Sequence, residues 1–210
     1  MNRYSCASCS NAITSMLTEP YLIVCEKCGA LVHTHHSIRD RILPARIPAD
    51  WSFLQIGSAF EFAKEDCQVV GRIRLQLRND YKNLWCAALK SGKYIWIIES
   101  FASFAVLSGA WVEFKQSVSK LHAGGSISLK KDLKLKGEYV EKCEGITYEG
   151  VLGEWRLFKP GFFFIQCSNK ENRTAVFTVD GNHNIFSISG EKVDVRLLNF
   201  KNILSWDEWK

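Results

Sequence analysis

The chain has 210 residues and a mass of 23.9 kDa, enough for one full domain with a small appendage or for two small domains. Its 47% hydrophobic and 23% charged residues exclude a disordered chain, a coiled coil and a collagen-like repeat. The formal charge of +5 falls to about +3 if four thiolates hold one zinc ion, a mild excess and not the signature of a dedicated DNA binder.

The start, Met1-Asn2-Arg3-Tyr4-Ser5-Cys6, has no charged-then-apolar leader pattern. The longest apolar run, Phe101 to Val112, is broken by Ser103, Ser108 and Gly109 and is too short for a helical membrane span. These features lead to the expectation of a soluble cytoplasmic protein.

Residues 1–36 carry the most specific pattern. Cys6-Ala7-Ser8-Cys9 and Cys25-Glu26-Lys27-Cys28 are two C-x-x-C pairs separated by fifteen residues, a spacing that reads as a four-cysteine zinc ribbon. A segment this short buries too little apolar surface to fold alone, so a metal would supply the missing stability. Gly29 suits the turn leaving the second pair, because glycine takes positive φ cheaply. Ala30-Leu31-Val32 reads as a short strand with Tyr21-Leu22-Ile23-Val24 as its antiparallel partner. Four thiolates fill a tetrahedral site, so His33, His35 and His36 are expected on an exposed strand end and not as ligands. The remaining cysteines, Cys67, Cys86, Cys143 and Cys167, stand singly among apolar residues and are read as core packing.

Residues 37–50 read as a linker stiffened by Pro44 and Pro48. The body, residues 51–200, reads as mostly β. From Val69 to Arg78, Ile73, Leu75 and Leu77 alternate with Arg72, Arg74, Gln76 and Arg78, the period of a half-buried strand. Asn79-Asp80 marks a turn, Tyr81 to Leu89 returns, and Ser91-Gly92 turns into Tyr94 to Ile98. Phe104 to Leu107 and Trp111 to Phe114 continue the meander. A second half starts near Leu129, with strands expected at Glu138–Cys143, Ile146–Leu152, Phe162–Cys167, Thr174–Val179 and Ile185–Ser189. Asp180-Gly181-Asn182-His183-Asn184 reads as a hairpin loop. The fold class is therefore mainly β: a zinc ribbon followed by an antiparallel barrel or sandwich. Its two halves are loosely alike, each running a strand into a glycine, at Gly71 and at Gly150. The tail, 201–210, with the residues just before it, reads as a terminal helix or extension docked on the body, or as an aromatic peptide offered to a partner.

No phosphate loop, nucleophile elbow or H-E-x-x-H pattern occurs. Glu138, Glu141, Glu144, Glu149 and Glu154 read as a solvated face. Arg72, Arg74 and Arg78 share a strand face, with Lys82 after the turn, and seven lysines lie between Lys115 and Lys142. With seven tryptophans, this basic face is a candidate surface for nucleic acid or a partner.

Gly57-Ser58-Ala59-Phe60-Glu61-Phe62, then Val69-Val70-Gly71-Arg72-Ile73-Arg74, resembles the opening of the bacterial family called domain of unknown function 4178. Leu84-Trp85-Cys86-Ala87-Ala88-Leu89, then Gly92-Lys93-Tyr94-Ile95-Trp96-Ile97, is similar to that family's glycine-tyrosine-x-tryptophan hairpin. Gly150-Val151-Leu152-Gly153-Glu154-Trp155 resembles its later glycine-glutamate turn, and Arg156-Leu157 departs from the proline-tryptophan that follows there. The resemblance spans roughly residues 52 to 200. It implies an N-terminal zinc ribbon, no established enzymatic activity, and an association with polyamine metabolism and envelope stress. Together these readings lead to the expectation of a zinc-binding adapter or ligand-binding protein with a protein partner; the alternative is a nucleic-acid-binding accessory protein.

Overall fold

The computed structural model describes residues 2–34, 47, 50–100, 103–115, 121–130, 133–156 and 159–205. The described residues form no α-helix, and every strand pair is antiparallel. Four short strands build the N-terminal ribbon: β1 (Asn2–Ser5), β2 (Ala12–Ser15), β3 (Leu22–Val24) and β4 (Leu31–His33). The body adds β5 (Ala59–Phe62), β6 (Glu65–Leu77), β7 (Tyr81–Leu89), β8 (Tyr94–Ser100), β9 (Ser103–Leu107) and β10 (Val112–Glu113). Then come β11 (Ser126–Lys130), β12 (Leu133–Leu152), β13 (Phe163–Ser168), β14 (Arg173–Val179) and β15 (Ile185–Val193).

The two halves are two four-stranded meanders, β6 to β9 and β12 to β15; Val112–Glu113, expected to continue the first, pairs instead with β15 of the second. They join at β9–β15 and again at β12–β6, so the pairings of eight strands run in a closed circuit. Gly71 and Gly150 lie directly opposite each other at the β12–β6 seam. Gly150 has φ +71°, and a Cβ there would sit 2.8 Å from Gly71 Cα and closer still to the Val70 carbonyl oxygen. Only glycine lets the two backbones meet so closely at that φ.

Each strand of the circuit sends side chains into one central core: Ile73, Cys86, Trp96, Leu107, Tyr148, Phe164, Val176 and Ile188 are members. The opposite faces are buried too. Trp85, Ile97 and Phe104 lie under Leu54, Phe60 and Leu198, and Ile165, Ala175 and Phe177 pack with Leu121 and Ile127. Burial on both faces explains why Leu84–Leu89 and Tyr94–Ile98 are nearly unbroken apolar runs instead of alternating ones.

One strand expectation needs correction. Glu138–Cys143 and Ile146–Leu152 are one strand, β12, with a bulge between Cys143 and Gly145 where it leaves β13 and joins β6. Gly145 therefore serves a bulge, not a turn. The segment before the tail forms a 3-10 turn, Val195–Leu198, and then runs as a docked extension. In it Phe200 packs on Phe53 and Phe60, Lys201 pairs with Ala59, and the Leu204 amide donates to the Phe53 carbonyl at 2.8 Å. Residues 206–210, with Trp206 and Trp209, lie outside the described residues.

The ribbon joins the body directly. Ile23 and Leu22 of β3 pair with Val151 and Leu152 at the end of β12. Leu17, Leu22, Val24 and Leu31 belong to the same central core as Trp96 and Trp155. Most of the expected linker, 37–50, falls outside the described residues, as do His35 and His36.

Candidate metal centre

Each C-x-x-C pair occupies the turn of a hairpin, the first between β1 and β2, the second between β3 and β4. The two turns repeat the same backbone pattern. The Cys6 amide donates to the Asn11 carbonyl at 2.9 Å and the Ser10 amide to the Cys6 carbonyl at 2.8 Å. The Cys25 amide likewise donates to Ala30 at 2.9 Å and the Gly29 amide to Cys25 at 2.7 Å. The residue after the second cysteine is left-handed in both, Ser10 at φ +58° and Gly29 at +70°. The glycine expected from the sequence is in place; its counterpart is a serine, a polar residue of the kind turns favour.

These turns bring four sulfurs to one point. Cys6 and Cys28 Sγ are 3.6 Å apart, Cys9 and Cys25 Sγ 3.7 Å, and all four lie within 4.8 Å of one another. A tetrahedron of ~2.3 Å metal–sulfur bonds has edges of about 3.8 Å, so the four thiols could hold one metal ion. The first cysteine of each pair is buried against the ribbon, while Cys9 is half-buried and Cys28 exposed. The Ser8 amide points at Cys6 Sγ at 3.4 Å, a contact that favours thiolate. Crowding splits the thiols: the Ala30 amide and the neighbouring Cys9 lower Cys28 to about 7. The Asn11 amide pulls Cys9 down, but burial and the other three thiols outweigh it and push Cys9 up to about 12. A bound dication would remove that conflict, because it favours thiolate at every position. Among the described residues this is the group competent to hold a metal, and His33 lies outside it on β4.

The single cysteines behave as core residues. Burial raises Cys67 and Cys143 to about 11 and Cys86 and Cys167 to about 12, which leaves them inert thiols.

The basic strand face is not free. Arg72 and Arg74 are 9% and 6% exposed, with Asp50 between them. Arg72 reaches Asp50 at 3.2 Å and Glu149 at 2.7 Å and lies over the Trp85 ring. Arg74 pairs with Asp50 and donates to Asn83 at 3.2 Å. Burial lowers the Arg74 pKa from its ordinary value, the cost of placing this cation inside. Lys82 is buried too, 3.5 Å from Asp80 and over the Tyr139 ring. Arg78 alone of the four is exposed. The alternation read from the sequence is real, but the polar face is roofed, so its charges are neutralised in place instead of being presented to a polyanion. Asp50 at the linker end and Asn83 are the partners that sequence reading missed, and Glu99 in turn accepts from Asn83 at 3.5 Å and from Trp85 at 3.2 Å. The glutamates expected on one solvated face are dispersed: Glu149 binds Arg72, Glu138 binds Lys192 and Glu154 binds Arg156.

A cleft of about 700 Å³ opens between ribbon and body, bounded by Thr18, Glu19 and Tyr21 on one side and by Lys93, Tyr94 and Glu154 on the other. Among the described residues no helix is long and apolar enough to cross a membrane. No protein-family model, curated protein or solved structure matches the chain.

Proposed function

We propose that this chain is a zinc-binding adapter or ligand-binding protein whose ion is structural. The observation that carries the reading is the convergence of Cys6, Cys9, Cys25 and Cys28 on one point. Four soft thiolates in a tetrahedral arrangement suit zinc, and they leave no open position at which the ion could activate water. The ion would instead hold the ribbon against β12, keeping the ribbon–body cleft in one shape. A cytoplasmic location fits thiols that must stay reduced. On the motif order quoted above, the body is assigned to the family called domain of unknown function 4178, which carries with it the association with polyamine metabolism or envelope stress. The nucleic-acid alternative loses its main support, because Arg72, Arg74 and Lys82 are engaged within the fold.

The test is a tagged purification from native cells at low and high salt, with metal, protein and nucleic acid all identified. One zinc per chain together with a protein partner or small ligand that survives high salt supports the reading. Nucleic acid released by salt, or a hydrolytic activity lost on substitution of a body residue, overturns it.

A further inference from the structure

The β6–β7 pair carries a buried cluster of charge that the metal centre does not use. Arg72 lies directly opposite Trp85, and Arg74 directly opposite Asn83. Arg72 Nη1 donates to Asp50 Oδ2 at 3.2 Å, Asn83 Nδ2 donates to the same oxygen at 2.7 Å, and Arg74 Nη2 pairs with it too. The other oxygen, Oδ1, meets the Ser52 amide at 3.3 Å. Three donors from two neighbouring strands thus converge on one carboxylate oxygen.

The sheet itself sets these donors in place. Arg72 Nε donates to Glu149 at 2.7 Å, and its guanidinium carbon lies 4.5 Å from the centre of the Trp85 ring. Arg74 Nε donates to Asn83 Oδ1 at 3.2 Å, with its guanidinium carbon 4.7 Å from the centre of the Tyr81 ring. Asp50 belongs to none of the strands, so it can leave while the others keep their orientation. Burying such charges is a poor way to stabilise a fold, because desolvation offsets most of their attraction and apolar side chains would serve as well. Two guanidinium forks held in position are suited to recognising a carboxylate.

We propose that this cluster is a binding site for a small organic carboxylate, and that Asp50 occupies it as an internal, autoinhibitory stand-in. A ligand carboxylate replaces Asp50 one charge for one charge and leaves the balance with Glu149 unchanged, whereas a phosphate dianion would add charge beside it. Asp50 offers one oxygen to both guanidinium groups; a free carboxylate can turn one oxygen to each. The Glu149 side chain is 33% exposed, so solvent reaches the cluster from that side and a ligand has a way in. This inference goes beyond the reading above and shares no residue with the four-cysteine centre.

The test follows the arginine Nε–H resonances of the full, ¹⁵N-labelled chain during titration with acetate at constant ionic strength, in wild type, Asp50→Ala and Asp50→Asn. Arg72→Lys and Arg74→Lys assign the two signals. Both should shift saturably in Asp50→Ala. Wild type should need about 10–1000-fold more acetate, as follows from an open state populated at roughly 0.1–10%. Acetate should also raise the melting temperature of Asp50→Ala and leave that of wild type unchanged at the same concentration. Asp50→Asn keeps the shape without the charge, so it carries the test if the alanine variant does not fold, and it should respond at lower acetate than wild type. The site is overturned by signals that stay in place in both variants, by equal midpoints in variant and wild type, or by equal shifts at the exposed Arg173. Inorganic phosphate binding more tightly than acetate overturns the carboxylate assignment. A wild type still unshifted at about a thousand times the acetate that half-saturates Asp50→Ala overturns the stand-in role. Zinc is measured on the same samples: zinc without shifts refutes this site alone, and shifts without zinc refute the metal reading alone.

Discussion

Removing the metal should destabilise the whole chain, not the ribbon alone. Leu17, Leu22, Val24 and Leu31 come from the ribbon and are buried in the central core beside Trp96 and Trp155. At about 1.5–3 kcal/mol for each buried side chain, their burial amounts to roughly 6–12 kcal/mol. That is an upper bound, because an unfolded chain already hides part of its apolar surface. Half of it, about 3–6 kcal/mol, is a large share of a domain's total stability. At about 2–4 °C per kcal/mol for a chain of this size, the melting temperature should fall by roughly 6–24 °C. The assay follows tryptophan fluorescence and far-ultraviolet circular dichroism on heating, for the zinc-loaded chain, the chelated chain and Cys25→Ser. Both probes should move together, because Trp96, Trp111 and Trp155 sit in the shared core. The reasoning is refuted if the tryptophan transition stays where it was while proteolysis cuts only within residues 2–34.

Three further outcomes are expected. Gly150→Ala should cost at least ~3 kcal/mol in urea unfolding, combining overpacking against Val70 and Gly71 with a strained φ of +71°. Gly161→Ala, at φ +104° with nothing within 4 Å, should cost only about 1–2 kcal/mol, and equal losses would contradict the close-approach account of the seam. Asp50→Ala removes the carboxylate that two buried guanidinium groups share, Arg72 keeping Glu149 and Arg74 keeping Asn83, and should lower stability by about 3 kcal/mol, whereas Arg196→Ala, which breaks an exposed pair with Asp194, should leave the midpoint unchanged. The Arg196 side chain and amide hold Asp194 down at about 2, below its ordinary aspartate value. The pair is exposed and screened, so its contribution is small; it is present above the unfolded-state pKa and lost as pH falls through about 2. A carboxyl titration by NMR that gave Asp194 an unshifted midpoint would refute the pairing.

The four cysteines were legible because metal ligation constrains spacing directly, and so were most body strands, whose turns are marked by residue type. The continuous β12 was not, because a glycine in a bulge and a glycine in a turn look alike until the partner strands are known. The ribbon's docking was not legible either: the spacing of Leu17 and Leu22 does not say which surface buries them. The buried arginine cluster lay within reach. Counting outward from the Asn79-Asp80 turn sets Arg74 opposite Asn83, and counting from Ser91-Gly92 sets Asn83 opposite Glu99. That register places polar partners beside the arginines. Asp50 could not be found this way, since it comes from outside the sheet and only tertiary packing brings it there.

Native mass spectrometry of the purified chain, with thiol labelling of the folded protein, tests the central claim most directly. The account predicts one zinc ion per chain, lost in Cys25→Ser, with Cys28 protected from labelling although its side chain is exposed. A folded chain without metal, whose exposed Cys28 reacts at once, would contradict it.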